Sequence, residues 1–167
     1  ETFEIIQTAD LQDEILPDAT AFGAGNLENQ VYGITVRRAG TNDLSPNSGT
    51  LTLDSDAQKF EKADLVLTAG EKVVLDFDAD PLELGTLAVV VEGDLAIDES
   101  FAKSVSFEKL KLFANGDIAI TKPRVSASNS LEVLAGLSTA AESGDLSIGS
   151  NVTLEAPILM SLRGGNT

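Results

Sequence analysis

Residues 86–121 read TLAVVVEGDLAIDESFAKSVSFEKLKLFANGDIAIT, and one pattern runs through them twice. TLAVVVEGDLAID (86–98) and KLKLFANGDIAIT (109–121) align at a spacing of 109 − 86 = 23 residues. Each copy is an alternating apolar run, a Gly-Asp corner and a second alternating run. Alternation with period 2 puts one row of side chains on one face of a strand and the next row on the other.

The pattern extends both ways. Gly70, Gly93 and Gly116 are spaced by 23 and 23. DLVLTAG (64–70) and EKVVLD (71–76) make an earlier copy, and SLEVLAG (130–136) and GDLSIGS (144–150) a later one. Four files of apolar residues keep step. They are Leu65/Leu87/Leu110/Leu131, Leu67/Val89/Leu112/Val133, Leu51/Val73/Leu95/Ile118 and Leu53/Leu75/Ile97/Ile120. Upstream, Ile34 and Val36 read as the first strand of the earliest copy. Val36 then precedes Leu67 by 31 residues, nine more than 22, the excess matching a corner loop at TNDLSPNSG (41–49). A third, weaker strand closes several copies: Val105/Phe107, Val125/Ala127 and Val152/Leu154. The three corner glycines are expected at positive φ. DAQKFEKAD (56–64) reads as a corner loop that dips Phe60 inward.

Three short strands per copy cannot hide an apolar face alone; stacking on the next copy can. The predicted fold is all-β, a right-handed parallel β-helix (β-solenoid) with coils of about 22 residues stacked at the ordinary interstrand spacing of about 4.8 Å. The alternative is an immunoglobulin-like β-sandwich, which also has short alternating strands but no reason to hold four files in one register. Residues 1–30 fit the repeat poorly and read as an irregular cap or flanking element, with one strand at TFEIIQT (2–8). Residues 31–167 read as coils, with loop insertions at 41–49 and 137–143. APILMSLRGGNT (156–167) begins another copy, which suggests a fragment of a longer chain or a coil that pairs with another molecule.

Composition narrows the chemistry. The 167 residues carry 11 Lys+Arg and 27 Asp+Glu, a net charge of −16, with no His, Cys or Trp and a single Tyr. A thiolate zinc site, a disulfide framework and a Ser-His-Asp triad are excluded. The negative charge opposes binding to nucleic acid or anionic membranes. No apolar run is long enough to cross a bilayer as a helix, and residues 1–20 lack a signal-peptide pattern. GAG at 23–25 has neither the third Gly nor the following helix of a dinucleotide site.

Asp54, Asp76 and Asp98 share a file at spacings of 22 and 22, followed two residues on by Asp56, Asp78 and Ser100. Stacked carboxylates about 5 Å apart repel by roughly 1 kcal/mol in water. Two readings stand. Calcium, which takes only oxygen ligands, would relieve the repulsion at Asp54, Asp56, Asp76, Asp78 and Asp98. Alternatively, the aspartates cap turn amides at strand ends. No other cofactor is expected. Paired carboxylates also serve glycosidases, but the few basic and aromatic residues argue against a sugar cleft. Arg37/Arg38 and Lys122/Arg124, the tightest basic pairs, read as solubilising surface groups.

KLKLFANGDIAITKPRVSASNSLEVLAG (109–136) resembles the exoprotein repeats of filamentous-haemagglutinin-like proteins. The resemblance covers roughly residues 64–163 and implies a secreted right-handed β-helix used as a bacterial adhesin. The N-terminal third lacks the secretion-domain signature of that family. The expected function is a non-catalytic structural or interaction segment of a secreted or cell-surface adhesin, displaying loops toward a host or neighbouring-cell glycan or protein, or toward copies of itself. The alternatives are a carbohydrate-active β-helix, lyase or hydrolase, and a self-assembling surface-layer or fibre subunit.

Overall fold

The computed structural model describes residues 2–7, 13–15, 31–38, 50–53, 61–69, 72–75, 82–102, 105–137 and 144–164. Its strands are β1 (Thr2–Gln7), β2 (Asp13–Ile15), β3 (Val31–Arg38), β4 (Thr50–Leu53), β5 (Asp64–Ala69), β6 (Lys72–Leu75), β7 (Leu82–Val91) and β8 (Leu95–Ile97). They continue with β9 (Val105–Ala114), β10 (Ile118–Ile120), β11 (Arg124–Ser126), β12 (Ser130–Leu134), β13 (Leu146–Ile148), β14 (Thr153–Glu155) and β15 (Leu159–Arg163). The protein is all-β, and no helix occurs among the described residues.

The chain deals its strands in turn to separate sheets. The largest has the order β1-β3-β5-β7-β9-β12-β15. A second position is occupied by β2-β4-β6 and, as a separate ladder, β8-β10-β13; β11 and β14 pair at a third. Pairing is parallel in all these ladders, which excludes the antiparallel immunoglobulin-like sandwich.

The expected files are ladder partners. Leu65 pairs with Leu87, Leu87 with Leu110, and Leu110 with Leu131; Leu67, Val89, Leu112 and Val133 pair likewise. Leu51 pairs with Val73, Leu53 with Leu75, Leu95 with Ile118 and Ile97 with Ile120. Among the described residues no ladder joins β6 to β8, so the steps Val73–Leu95 and Leu75–Ile97 are not strand pairs. Leu65, Leu67, Leu87, Val89, Leu110, Leu112, Leu131 and Val133 are wholly buried. They join Ile97, Ile118, Ile120 and Val125 in one apolar cluster drawn from all three sheet positions. Each such side chain removed from water contributes roughly 1.5–3 kcal/mol, which makes the files the principal source of cohesion.

Three expectations are corrected. First, β3 is shifted by two residues: Tyr32 pairs with Leu65 and Ile34 with Leu67, so 67 − 34 = 33 residues separate partners. A two-residue slip keeps the same residues on the same face, so alternation cannot detect it.

Second, Val105 and Phe107 do not form a strand of their own. They open β9, just as Leu82 and Leu84 open β7. Burial changes phase inside each: Leu84 is followed inward by Leu87, and Phe107 by Leu110, three residues on instead of two. The chain therefore turns a corner without leaving the ladder. At that corner the N–H of Gly85 donates to the carbonyl of Ala63 at 2.9 Å. A Cβ on Gly85 would stand 2.6 Å from Asp64 Oδ1. Further on, Val125 and Leu154 pair in strands separate from β12 and β15, as expected.

Third, positive φ is not what selects glycine at the repeated corner. Among described glycines only Gly136 has it, at 73°. At Gly116 the reason is close backbone stacking: a Cβ there would stand 3.1 Å from the Gly93 carbonyl oxygen, the N–H of Gly116 donates to that carbonyl at 3.1 Å, and the N–H of Gly136 donates to the Gly116 carbonyl at 3.1 Å. Gly70, Phe60, the loop 41–49 and most of 137–143 lie outside the described residues.

Candidate functional site

The Gly-Asp dipeptides at 93–94, 116–117 and 144–145 build the most regular polar feature of the described chain. Gly116 and Gly144 let successive corners approach, and each aspartate follows on the exposed side. Asp94 Oδ1 accepts the backbone N–H of Asp117 at 2.8 Å, and Asp117 Oδ1 accepts that of Asp145 at 2.8 Å. The backbone completes the seam: Leu95 N–H donates to Asp117 O at 2.8 Å and Ile118 N–H to Asp145 O at 2.9 Å. An amide just before a strand has no ladder partner, so a carboxylate from the neighbouring corner fills that role. Asp64 does the same at another corner, its Oδ1 accepting the N–H of Thr86 at 2.5 Å.

This acidic file differs from the one expected. Asp54, Asp56, Asp76 and Asp78 lie outside the described residues. Asp98 follows β8 and is half-buried. Its Oδ1 accepts the N–H of Ser100 at 2.8 Å and also the Ser100 hydroxyl, while its carbonyl accepts the N–H of Phe101 at 3.0 Å. That is the geometry of a turn cap. Ile97 pairs with Ile120 and Ile120 with Ile148, so the register of Asp98 continues as Thr121 and Gly149, neither a carboxylate. Among the described residues no group of three or more acidic side chains is placed to hold a metal ion. The file at Asp94, Asp117 and Asp145 was signalled by the recurring G-D dipeptide, which marks the start of the second strand instead of its end.

Two depressions lie beside the strand ladders. One is lined by Lys62, Asp64, Glu83, Gly85, Glu108 and Lys109 and another by Glu83, Ser106, Arg124, Ser126, Ser128 and Glu155. In the second, Arg124 reaches across to Glu155, with Nη2 at 2.6 Å and Nε at 3.1 Å from Oε2. The basic pair Lys122/Arg124 therefore does more than solubilise: Lys122 Nζ donates to the carbonyl of Phe101, tying together segments 21 residues apart. Lys111 and Glu132, direct ladder partners, stand 3.8 Å apart. Exposed pairs of this kind contribute at most about 1 kcal/mol each, but they favour opposite charges on adjacent strands. Arg37 and Arg38 lie on β3.

Capping by Asp117 is directly testable. Asp117→Ala should lower stability by about 1 kcal/mol, while Asp117→Asn, which keeps an acceptor oxygen, should lose less than half of that. Chemical denaturation of the three chains checks the order. Equal losses would show that the cap does not contribute.

Compared with known proteins, the chain matches no family model, and neither a curated protein nor a solved structure matches it.

Proposed function

We propose that the chain is a right-handed parallel β-helix and that it serves as a non-catalytic structural or interaction segment of a bacterial secreted or cell-surface adhesin. The observation that carries this reading is the return of the chain to the same sheet at each coil. Leu65, Leu87 and Leu110 are successive ladder partners, separated by 87 − 65 = 22 and 110 − 87 = 23 residues. The cluster shared by three sheet positions supports closure of each coil around one apolar interior. Crossovers between parallel strands are right-handed in nearly all proteins, which supports the hand.

Such a rod is stiff because each coil is bonded to its neighbours along several strands. Its outer face carries charged pairs such as Lys111 and Glu132, and its corners can lengthen without disturbing the ladders. The loop insertions 41–49 and 137–143 stand where the sequence repeat gains residues, and they are the elements we assign to contact with a host or neighbouring-cell glycan or protein. Capped corners and paired outer charges suit a scaffold more than a catalytic cleft.

The test replaces both loops with short Gly-Ser turns. Binding to host cells and to an immobilised glycan panel should be lost at an unchanged melting temperature. Undiminished binding by the shortened chain, or cleavage of an acidic polysaccharide by the intact one, would overturn the display reading.

A further inference from the structure

The sequence has a single Asn-Gly step, Asn115-Gly116, and it falls at one of the repeated corners. The equivalent corners read Glu92-Gly93 and Ser143-Gly144, so this one alone sets a side-chain amide before its glycine. With no Cβ, glycine leaves its backbone nitrogen free to close on the carboxamide carbon of the asparagine before it. Asn115 is exposed, so water reaches that carboxamide.

The fold holds the nitrogen back. Asn115 N–H donates to the Val91 carbonyl at 3.1 Å, Gly116 N–H to the Gly93 carbonyl at 3.1 Å and Asp117 N–H to Asp94 Oδ1 at 2.8 Å. Three consecutive amides are thus fastened to residues 91–94. From the other side, the Gly136 N–H holds the Gly116 carbonyl at 3.1 Å. The corner has no slack: a Cβ on Gly116 would collide with Asp94 Oδ1.

From these bonds we propose that Asn115 is a site of spontaneous deamidation, gated by opening of the corner between Gly93 and Gly116. In the opened form, solvent hydroxide takes the Gly116 N–H proton and the nitrogen's electron pair forms a bond to Asn115 Cγ. The Cγ–Nδ2 bond breaks, and Nδ2 takes a proton from water and leaves as ammonia. Water then adds to one carbonyl of the cyclic imide and opens it, giving aspartate or isoaspartate at position 115; nothing is oxidised or reduced. The imide nitrogen carries no hydrogen, so the bond to Gly93 cannot survive the step. Isoaspartate also adds a methylene to the backbone where successive amides must meet fixed acceptors, so the corner stays loosened afterwards. The inference rests on the corner bonds and is independent of the display reading.

Peptide mapping of the 167-residue chain, incubated folded and in urea in mildly alkaline buffer, follows amide loss at Asn115. The loss should be roughly tenfold or more slower in the folded chain, because only the locally opened fraction reacts. Asp94→Ala removes the acceptor of the Asp117 amide and should speed the folded reaction about three- to tenfold, the loss of one hydrogen bond read as a population, with the rate in urea unchanged. Val125→Ala, a truncation of a buried residue in another ladder, should leave the folded rate at that of the parent. The deamidated fraction, separated by ion exchange, should unfold at lower urea than the unmodified chain. Equal rates in the folded and unfolded chain, no amide loss at Asn115 in urea, or an Asp94→Ala rate no faster than that of Val125→Ala would each overturn the proposal.

Discussion

Replacing Leu112 with Ala should lower the melting temperature by roughly 6–12 °C, the shift expected for about 3 kcal/mol in a chain of this length. Leu112 is 0% exposed and lies between Val89 and Val133 in the central file. Truncation removes the burial of the lost carbons and leaves a void that neighbours pinned in ladders on both sides cannot collapse into. Leu162 belongs to the same file one strand beyond Val133 but is 38% exposed. Leu162→Ala should therefore cost less than about 1 kcal/mol. Thermal melts of the two variants decide it. Equal losses would mean that the files do not carry the stability.

The second large effect belongs to Gly144→Ala. Gly144 is buried where three corners meet. A Cβ there would collide with the Gly116 carbonyl oxygen and the Gly136 amide nitrogen, and would stand 2.8 Å from Gly136 Cα. All three are backbone atoms, and the Gly136 N–H is itself bonded to the Gly116 carbonyl, so none can swing away, and a loss of about 3 kcal/mol or more is expected. Gly149→Ala is the matched control. Its nearest obstacle is Val152 Cγ2 at 3.2 Å, the end of a side chain that can turn, and it should cost under about 1 kcal/mol. Urea denaturation of both variants measures the contrast; a mild Gly144→Ala would contradict the close stacking of corners.

The files through β5, β7, β9 and β12 were legible because a 22–23-residue recurrence of Leu and Val survives small changes in corner length. The two-residue shift of β3 was not, because alternation repeats every second residue and gives both registers the same apolar face. The fusion of Val105 and Phe107 into β9 was also hidden. It depends on where the corner amide of Gly85 finds its acceptor, the Ala63 carbonyl, which is decided by the neighbouring strand. The acidic residues show the same division. Repetition pointed to Asp54, Asp76 and Asp98 with two readings, calcium or turn capping; Asp98 caps its own turn at Ser100, while Asp94 and Asp117 cap amides of the next corner.

The sequence by itself determined that this chain is all-β and that its Leu, Val and Ile residues recur in files, since both follow from periodicity, a property of one dimension. Only the tertiary structure decided which strands merge around a corner, which carboxylate meets which amide and where the files reach the surface at β15. Those outcomes depend on contacts between residues 20 to 30 positions apart. There, hydrogen-bond direction and free space select among arrangements that the apolar pattern satisfies equally well.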